Sequence, residues 1–270
     1  RMASRTRRPA SPALTGTALV ETLLGGWRAL SRLEVDGFAL QRSRGVTRRA
    51  NSAVPIDPPT DPDSLDAALT RIEGLLGAAG ESPTFRLFSA DGLDHEPVRA
   101  ALEQRGYAAG PPVHVLLRPL ADLRAAPDPR AAITVGAPPE DWLEASWRLA
   151  PRPEEGARKT LRDLMAGTPG VYLALTDTAS NSRESVAVGR AALVPHRRRT
   201  IAVLDQIAVD PGRRREGLGR AVVRSLLSLA AVQGADFALL EVETGNTAAR
   251  ALYRGEKFAP VGEYRYLTRP

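Results

Sequence analysis

A predicted strand ends in a loop whose residues are suited to binding an anion. The loop contains the spacing Arg214-x-x-Gly217-x-Gly219, and an amphipathic helix follows from Leu218. Glycines let a backbone approach a ligand closely, and the first turn of a helix presents unpaired N–H groups at the positive end of its dipole. Neighbouring arginines add charge. The pattern predicts a site for phosphate groups.

The loop differs from two common phosphate-binding motifs. No G-x-x-x-x-G-K-[ST] sequence is present, which excludes a P-loop. Gly217-Leu218-Gly219 begins like a dinucleotide fingerprint, but it lacks the third small residue and a following βαβ half. The loop therefore matches the dinucleotide-binding loop of a nicotinamide dehydrogenase only in part.

A second segment begins twenty-four residues after Gly217 and runs from Glu241 through Asn246 to Tyr253. In this order, R-x-x-G-x-G followed by N-x-x-A-x-x-L-Y resembles the GNAT superfamily of acetyl-CoA-dependent N-acetyltransferases. The resemblance covers about residues 131–270. It implies an α/β (α+β) fold, in which helices flank a mixed, mostly antiparallel twisted sheet.

The resemblance also implies where acetyl-CoA binds. Its pantetheine arm would pair with the backbone at the splay between the fourth and fifth GNAT strands, at Ile207, Ala208 and Val209. Its pyrophosphate would lie against Arg214, Arg215, Glu216, Gly217, Leu218, Gly219 and Arg220. Asn246 would contact the pantetheine side, and Tyr253 would donate a proton to the departing thiolate.

An amine attacks a thioester only when it is neutral, so a base must remove its proton. The L-E-V…N…A-L-Y arrangement resembles that of the bacterial ribosomal-protein-alanine acetyltransferases, which implies Glu241 as base and Tyr253 as acid. Asp205, on the preceding strand, is a rival base. Glu243 is a third candidate, because the period of two puts it on the same face as Glu241. A solvated strand-end role for Glu241 stays open.

One position departs from the GNAT pattern. The usual L-Y-x-x-x-G-F reads Leu252 to Phe258 here, with Gly255 displaced and Lys257 before the phenylalanine. The end of this helix is therefore uncertain from sequence, whereas the implied role of Tyr253 is unaffected.

Composition removes several kinds of chemistry. The chain has no cysteine, which excludes thiol nucleophiles, and its three histidines show no metal-ligand spacing, so we expect no metal. Direct attack in a ternary complex is the expected route. The net charge is +6, and much of it lies in a basic tail, residues 1–13, which we expect to be disordered.

The chain divides near its middle. The proline-bearing stretch 121–130 is a predicted linker between residues 14–120 and a catalytic half, residues 131–270. Residues 101–120 echo 251–270, and the Gly37–Ser52 segment resembles the N-terminal module of two-domain GNAT proteins. We therefore expect a tandem arrangement whose first half is a degenerate GNAT-like unit. Its Thr47–Ser52 string would line the acceptor cleft or form a purely structural turn and strand.

Apolar spacing predicts the elements of each half. A helix is expected over Gly16–Leu33, with Leu19, Leu23, Leu30 and Leu33 on one face. In the second half, strands over 171–176, 186–194 and 200–209 precede the glycine loop, and a helix over 218–233 follows it.

The sequence thus predicts an acetyl-CoA-dependent N-acetyltransferase acting on a primary amine. The alternatives are a non-catalytic acyl-CoA-binding regulatory module and an RNA-associated protein, the latter resting on the basic charge alone. The partners considered are the unidentified acceptor and a second copy of the chain, with no nucleic acid and no membrane. No apolar run approaches about 20 residues, so a cytoplasmic location is the expectation.

Overall fold

The computed structural model describes residues 14–153, 156–177 and 184–270. The predicted basic tail, residues 1–13, lies outside the described residues. So do residues 154–155 and 178–183.

The described residues form a mixed α/β structure with one 13-stranded sheet. Its strands, in chain order, are β1 (Ser31–Val35), β2 (Phe38–Arg42), β3 (Ala53–Pro55), β4 (Thr84–Ala90), β5 (Leu93–Asp94), β6 (Ala108–Ala109), β7 (Val113–Pro119), β8 (Ala131–Gly136), β9 (Gly170–Thr176), β10 (Ser185–His196), β11 (Arg199–Val209), β12 (Ala235–Glu243) and β13 (Ala259–Thr268). The helices are α1 (Gly16–Gly26), α2 (Pro62–Ala78), α3 (Glu96–Gln104), α4 (Glu140–Leu149), α5 (Ala157–Ala166), α6 (Leu218–Val232) and α7 (Thr247–Gly255).

The two halves of the chain share this sheet by exchanging strands. The order is β1-β2-β3-β4-β13-β7-β12-β11-β10-β9-β8, with β5 paired to β4 and β6 to β13. Strand β7 of the first half therefore lies between β12 and β13, and β13 lies between β7 and β4. The register is continuous between β12 and β7 and between β13 and β4, with Leu239 opposite Leu117 and Tyr264 opposite Phe88. Between β13 and β7 it shifts at Pro260–Gly262. Side chains from both halves are thereby brought to the middle of one sheet.

The exchange reveals an internal repeat. Each half contains a parallel strand pair, β3 with β4 and β11 with β12, in a sheet that is otherwise antiparallel. In each half the second strand of that pair leads to a short helix and a closing strand, which are α3 and β7 in one and α7 and β13 in the other. The echo between residues 101–120 and 251–270 falls on these equivalent elements. The tandem arrangement of two related units that the sequence predicts is therefore confirmed.

The first predicted helix is too long. Helix α1 ends at Gly26, and Leu33 lies in strand β1 with an exposed side chain. A Cβ on Gly26 would lie 2.6 Å from Cβ of Val203, so the helix meets β11 too closely for a larger residue. The next residue, Trp27, has a φ of −128° and leaves the helical conformation. Leu30 and Leu33 therefore do not join the buried face that Leu19 forms.

The second-half sheet is covered on both faces. Helix α6 packs Val222, Leu226 and Ala230 against one face, and α1 packs Leu19 and Leu23 against the other. Burial on both faces explains why β10 and β11 read as nearly continuous apolar runs. The packing fixes the end of β11, from which the glycine loop departs.

Candidate active site

A pocket of about 380 Å³ lies where β11 and β12 separate. From the second half it is lined by Asp205, Ile207, Ala208, Glu241, Glu243 and Tyr253. From the first half it is lined by Thr47, Arg48 and Arg49. The pocket thus holds the three predicted catalytic residues, the third carboxylate and two predicted cofactor-binding residues.

The separation of β11 and β12 has a local cause. Their parallel pairing ends at Leu204 opposite Leu240, and beyond it β11 continues against β10 while β12 continues against β7. At this point Gln206 has a φ of 52°, and the register with β10 shifts between Val188 and Arg190. The bulge turns β11 away. Ile207, Ala208 and Val209 therefore follow on an edge of β11 that no longer pairs with β12.

The glycine loop has the conformation that anion binding requires. Arg215 and Gly217 have φ values of 67° and 79°, and α6 begins at the next residue with no side chain capping its N-terminus. Arg214 and Arg215 are exposed and form no ion pair among the described residues. Backbone N–H groups and two guanidiniums are thus available to a phosphate group.

Other members of the loop have internal partners. Arg213 pairs with Asp177 at 2.6 Å and with Glu216 at 2.8 Å, so the Glu216 carboxylate is neutralised within the loop. Arg220 pairs with Glu256 at 3.3 Å. Leu218 is buried, and a Cβ on Gly219 would lie 3.4 Å from Leu252. Gly219 therefore sits close to α7.

Asn246 has a role that sequence reasoning did not assign. It precedes α7, and its side-chain oxygen accepts a hydrogen bond from the N–H of Ala249 at 3.1 Å. This is an N-cap, which stabilises a helix by about 1 kcal/mol. Asn246 thus fixes the start of the helix that carries Tyr253.

Tyr253 projects from α7 into the pocket and is buried. Its ring packs edge-on against Phe258 at 5.8 Å between centroids. Burial raises the pKa of Tyr253 to about 12. The hydroxyl is therefore protonated at neutral pH and can donate its proton.

The three carboxylates of the pocket differ in their partners. Both oxygens of Glu241 accept hydrogen bonds, one from Arg49 at 3.0 Å and one from Arg86. Asp205 is bound by the buried Arg190 at 3.0 Å. Glu243 is exposed and has no ion pair among the described residues. Among the described residues, Glu243 is the one carboxylate of the three that no guanidinium binds.

Arg86 was missed in the sequence. Its side chain is 1% exposed, and its guanidinium lies 3.9 Å from the centroid of the Tyr264 ring and 4.8 Å from that of Phe88. A signal existed, because an arginine interrupts the otherwise apolar start of β4 at Phe85-Arg86-Leu87. A buried charge in a strand requires a partner, and here that partner is Glu241.

With this geometry established, comparison with known proteins decides the family. The sequence model of the family described as "Probable histone acetyltransferase Rv0428c C-terminal" matches residues 18–267. The chain belongs to this family. The match spans both halves, and the description of the family agrees with the resemblance of the two motifs to the GNAT superfamily.

Curated relatives match over shorter stretches. The rat N-acetyltransferase family 8 member 3 is 34% identical over 131 residues, which is 46% of this chain and 58% of that protein. The mouse protein of the same name is 43% identical over 65 residues, 23% of this chain and 29% of that protein. The chain therefore spans about a third to three fifths of the length of these relatives.

Solved structures share the fold over most of the chain. A GCN5-related N-acetyltransferase from Kribbella flavida has a TM-score of 0.68 at 18% identity, covering 94% of this chain and 95% of that one. A tandem GNAT protein from the clavulanic acid biosynthesis pathway has a TM-score of 0.63 at 13% identity, covering 80% and 74%. At these identities the likeness establishes the tandem GNAT fold alone.

Two further observations apply to the part of the chain that the structure describes. It contains no group of three or more His, Asp or Glu side chains placed to hold a metal ion. None of its helices combines the length and apolar character needed to cross a membrane.

Proposed function

We propose that this protein transfers the acetyl group of acetyl-CoA to a primary amine by direct attack within a ternary complex. The observation that carries the proposal is that one pocket is lined by the unpaired edge of β11, by the buried Tyr253 and by Glu243. Glu243 forms no ion pair among the described residues. A tyrosine that keeps its proton and a carboxylate free to accept one are what this reaction requires.

The residues of the loop fit the pyrophosphate of acetyl-CoA. A side chain added at Gly217 would meet no atom within 4 Å, so the space before α6 is open. Arg214, Arg215 and the uncapped first turn of α6 would hold the pyrophosphate there. The gap beside Ile207 and Ala208 then offers backbone groups to the pantetheine arm.

Each reacting group has a defined task. Bound acetyl-CoA supplies a thioester, whose carbonyl carbon gains a bond to the amine nitrogen and loses its bond to sulfur. Glu243 accepts the proton that the nitrogen loses. Tyr253 gives its proton to the departing sulfur and recovers one from solvent. Glu241, held between two arginines, and Asp205, held by Arg190, support the walls of the pocket.

A calorimetric titration with acetyl-CoA tests the cofactor assignment. We expect saturable binding by the wild type and its loss in Gly217→Glu, which places a negative charge where the pyrophosphate lies. Gly80→Glu is a matched control, since Gly80 also has a positive φ, 71°, and open space around it, at the far end of α2. No binding by folded wild-type protein, or equal binding by both variants, would refute the assignment.

Turnover is measured by thiol release from acetyl-CoA in the presence of amines. The proposal requires release that depends on both the amine and Tyr253. Hydrolysis that proceeds at the same rate without an amine would contradict acetyl transfer to nitrogen.

A further inference from the structure

Two arginines of the pocket form no ion pair among the described residues. Arg48 and Arg152 line the same pocket as Tyr253 and Glu243. The Arg48 guanidinium lies over the ring of Tyr266, 4.7 Å from its centroid. Neither guanidinium forms a hydrogen bond or an ion pair among the described residues. A pocket that presents unpaired guanidiniums favours a ligand carrying negative charge.

The turn that carries Arg48 is tightly fixed. The Asn51 side chain accepts hydrogen bonds from the N–H groups of Ser43 at 2.6 Å and Gly45 at 3.1 Å. It donates two more, to the carbonyls of Val46 and Thr47, both at 2.8 Å. Four hydrogen bonds from one side chain therefore fasten both ends of this turn.

Thr47 adds strain to the same turn. It has a φ of 61°, a region that a β-branched residue rarely occupies. Its hydroxyl accepts a hydrogen bond from the indole N–H of Trp27 at 3.0 Å. A residue keeps an unfavourable backbone conformation where the surrounding contacts hold it there, and such residues concentrate at ligand sites. The turn thus holds Arg48 and Arg49 at the pocket at a cost in backbone energy.

The charges of the pocket leave a specific pattern once internal pairs are removed. Glu241 is satisfied by Arg49 and Arg86, and Asp205 is satisfied by Arg190. The groups left for a ligand are one carboxylate, Glu243, and two guanidiniums. A molecule with an amine at one end and a carboxylate at the other complements this pattern.

We propose that the acceptor is a small zwitterion, an amine with a carboxylate beside it as in an α-amino acid, and that Arg48 binds the carboxylate. This rests on the acetyl transfer proposed above. The volume of about 380 Å³ suits a small molecule, since ligand pockets begin near 300 Å³. Arg152 supports the same anion from the connection after α4, and Glu243 faces the amine.

The phosphates of acetyl-CoA are a rival use for these arginines. Arg214, Arg215 and Gly217 do not line this pocket, so the pyrophosphate loop and Arg48 serve different spaces. Arg48→Ala should therefore keep its affinity for acetyl-CoA within twofold while losing selectivity among acceptors. A tenfold or greater loss of acetyl-CoA affinity in this variant would assign Arg48 to the cofactor and overturn the proposal.

The acceptor test uses matched triplets of an L-amino acid, its carboxamide and the amine without the carboxyl group. We expect wild-type kcat/KM to favour the acid over both relatives by at least about tenfold, as loss of one charged hydrogen-bonded partner predicts. Arg48→Ala should reduce this ratio to near one, and Arg48→Lys should retain part of it. Arg198→Ala, on the exposed turn between β10 and β11, should leave the ratio unchanged.

The outcomes separate the two proposals. Failure to bind acetyl-CoA refutes the proposed function itself. Acetyl-CoA binding with amides and plain amines turned over as well as acids refutes only the zwitterionic acceptor. If none of the acids is turned over, calorimetry with the acids in the presence of coenzyme A decides, and absence of binding also overturns the proposal. Turnover confined to peptides would assign a macromolecular acceptor instead.

Discussion

Arg86 and Glu241 form a buried ion pair beneath the pocket although they lie in different halves of the chain, 155 residues apart in sequence. Arg86 is on β4 and Glu241 on β12, and the exchanged strands β7 and β13 separate them in the sheet. The aromatic ring of Tyr264, on β13, lies against the Arg86 guanidinium. The pair therefore ties the two halves together at the site.

Arg86→Met should destabilise the protein strongly. It leaves the buried Glu241 carboxylate with Arg49 as its remaining guanidinium, and removing one partner of a buried pair costs about 3–5 kcal/mol. Urea unfolding measures the loss. Arg99→Met, which breaks exposed pairs on α3, is the control and should cost far less. Equal costs for the two variants would show that the Arg86–Glu241 pair contributes no more than surface charge.

This pair also marks the limit of sequence reasoning about the site. The glycine loop and Tyr253 are recognisable because their motifs are short and local. The contacts of Glu241 with Arg86 and with Arg49, the latter 192 residues away, depend on how the halves pair. No local pattern encodes that pairing. The sequence therefore predicts three carboxylates as candidates for the base. In the fold they differ in whether an arginine binds them.

Glu243→Gln should lower kcat by about 10²-fold or more with little change in acetyl-CoA affinity, because it removes the acceptor of the amine proton. Thiol-release kinetics and calorimetry measure the two effects. Glu144→Gln, at an exposed position on α4, is the control. If Asp205→Asn or Glu241→Gln instead abolished turnover in a protein of unchanged stability, the base would be that residue.

Tyr253→Phe should lower kcat while preserving acetyl-CoA binding, since only the hydroxyl is removed from a packed ring. Because burial raises the pKa of Tyr253 to about 12, the hydroxyl stays almost fully protonated up to about pH 10. Ionisation of Tyr253 should therefore cause no fall in kcat between pH 7 and pH 10. Full activity of the phenylalanine variant would show that Tyr253 only packs and that another group protonates the departing sulfur.

The strand and helix order of the second half was predictable because its faces are buried regularly. The length of α1 was not, since apolar residues continue at helical spacing past Gly26, whereas Trp27 already leaves the helical conformation. The exchange of β7 and β13 was also out of reach. In both strands buried and more exposed side chains alternate, so neither sequence identifies the strands beside it. Those neighbours depend on the arrangement of the complete sheet.

Lys257→Gly should stabilise the protein by about 1 kcal/mol. Lys257 has a φ of 63° at the position where the GNAT pattern has glycine. For a residue with a Cβ, the left-handed region costs about 1 kcal/mol in conformational free energy. Its exposed ion pair with Asp122, at 3.4 Å, offsets little of this cost. Thermal unfolding of Lys257→Gly and Lys257→Asn should rank glycine first, asparagine second and lysine last. A less stable glycine variant would contradict the strain argument.

His95 should make stability fall in mild acid. Burial lowers its pKa to about 4 from 6.5, and its Nδ1 accepts a hydrogen bond from the N–H of Phe88 at 2.9 Å, which requires an unprotonated nitrogen. Between these pH values the unfolded chain binds a proton that the folded chain does not. The stabilisation is therefore complete above pH 6.5 and declines by up to about 3 kcal/mol as the pH falls to 4.

The measurement is the free energy of unfolding at pH 7 and pH 4.5 for the wild type, His95→Gln and His196→Gln. His95→Gln costs stability at pH 7, because a packed ring and its hydrogen bond are altered, but it should lose less on acidification than the wild type. His196 lies at the turn after β10, so its variant should keep the wild-type dependence. If His95→Gln declines as steeply as the wild type, the acid sensitivity arises from the carboxylates instead.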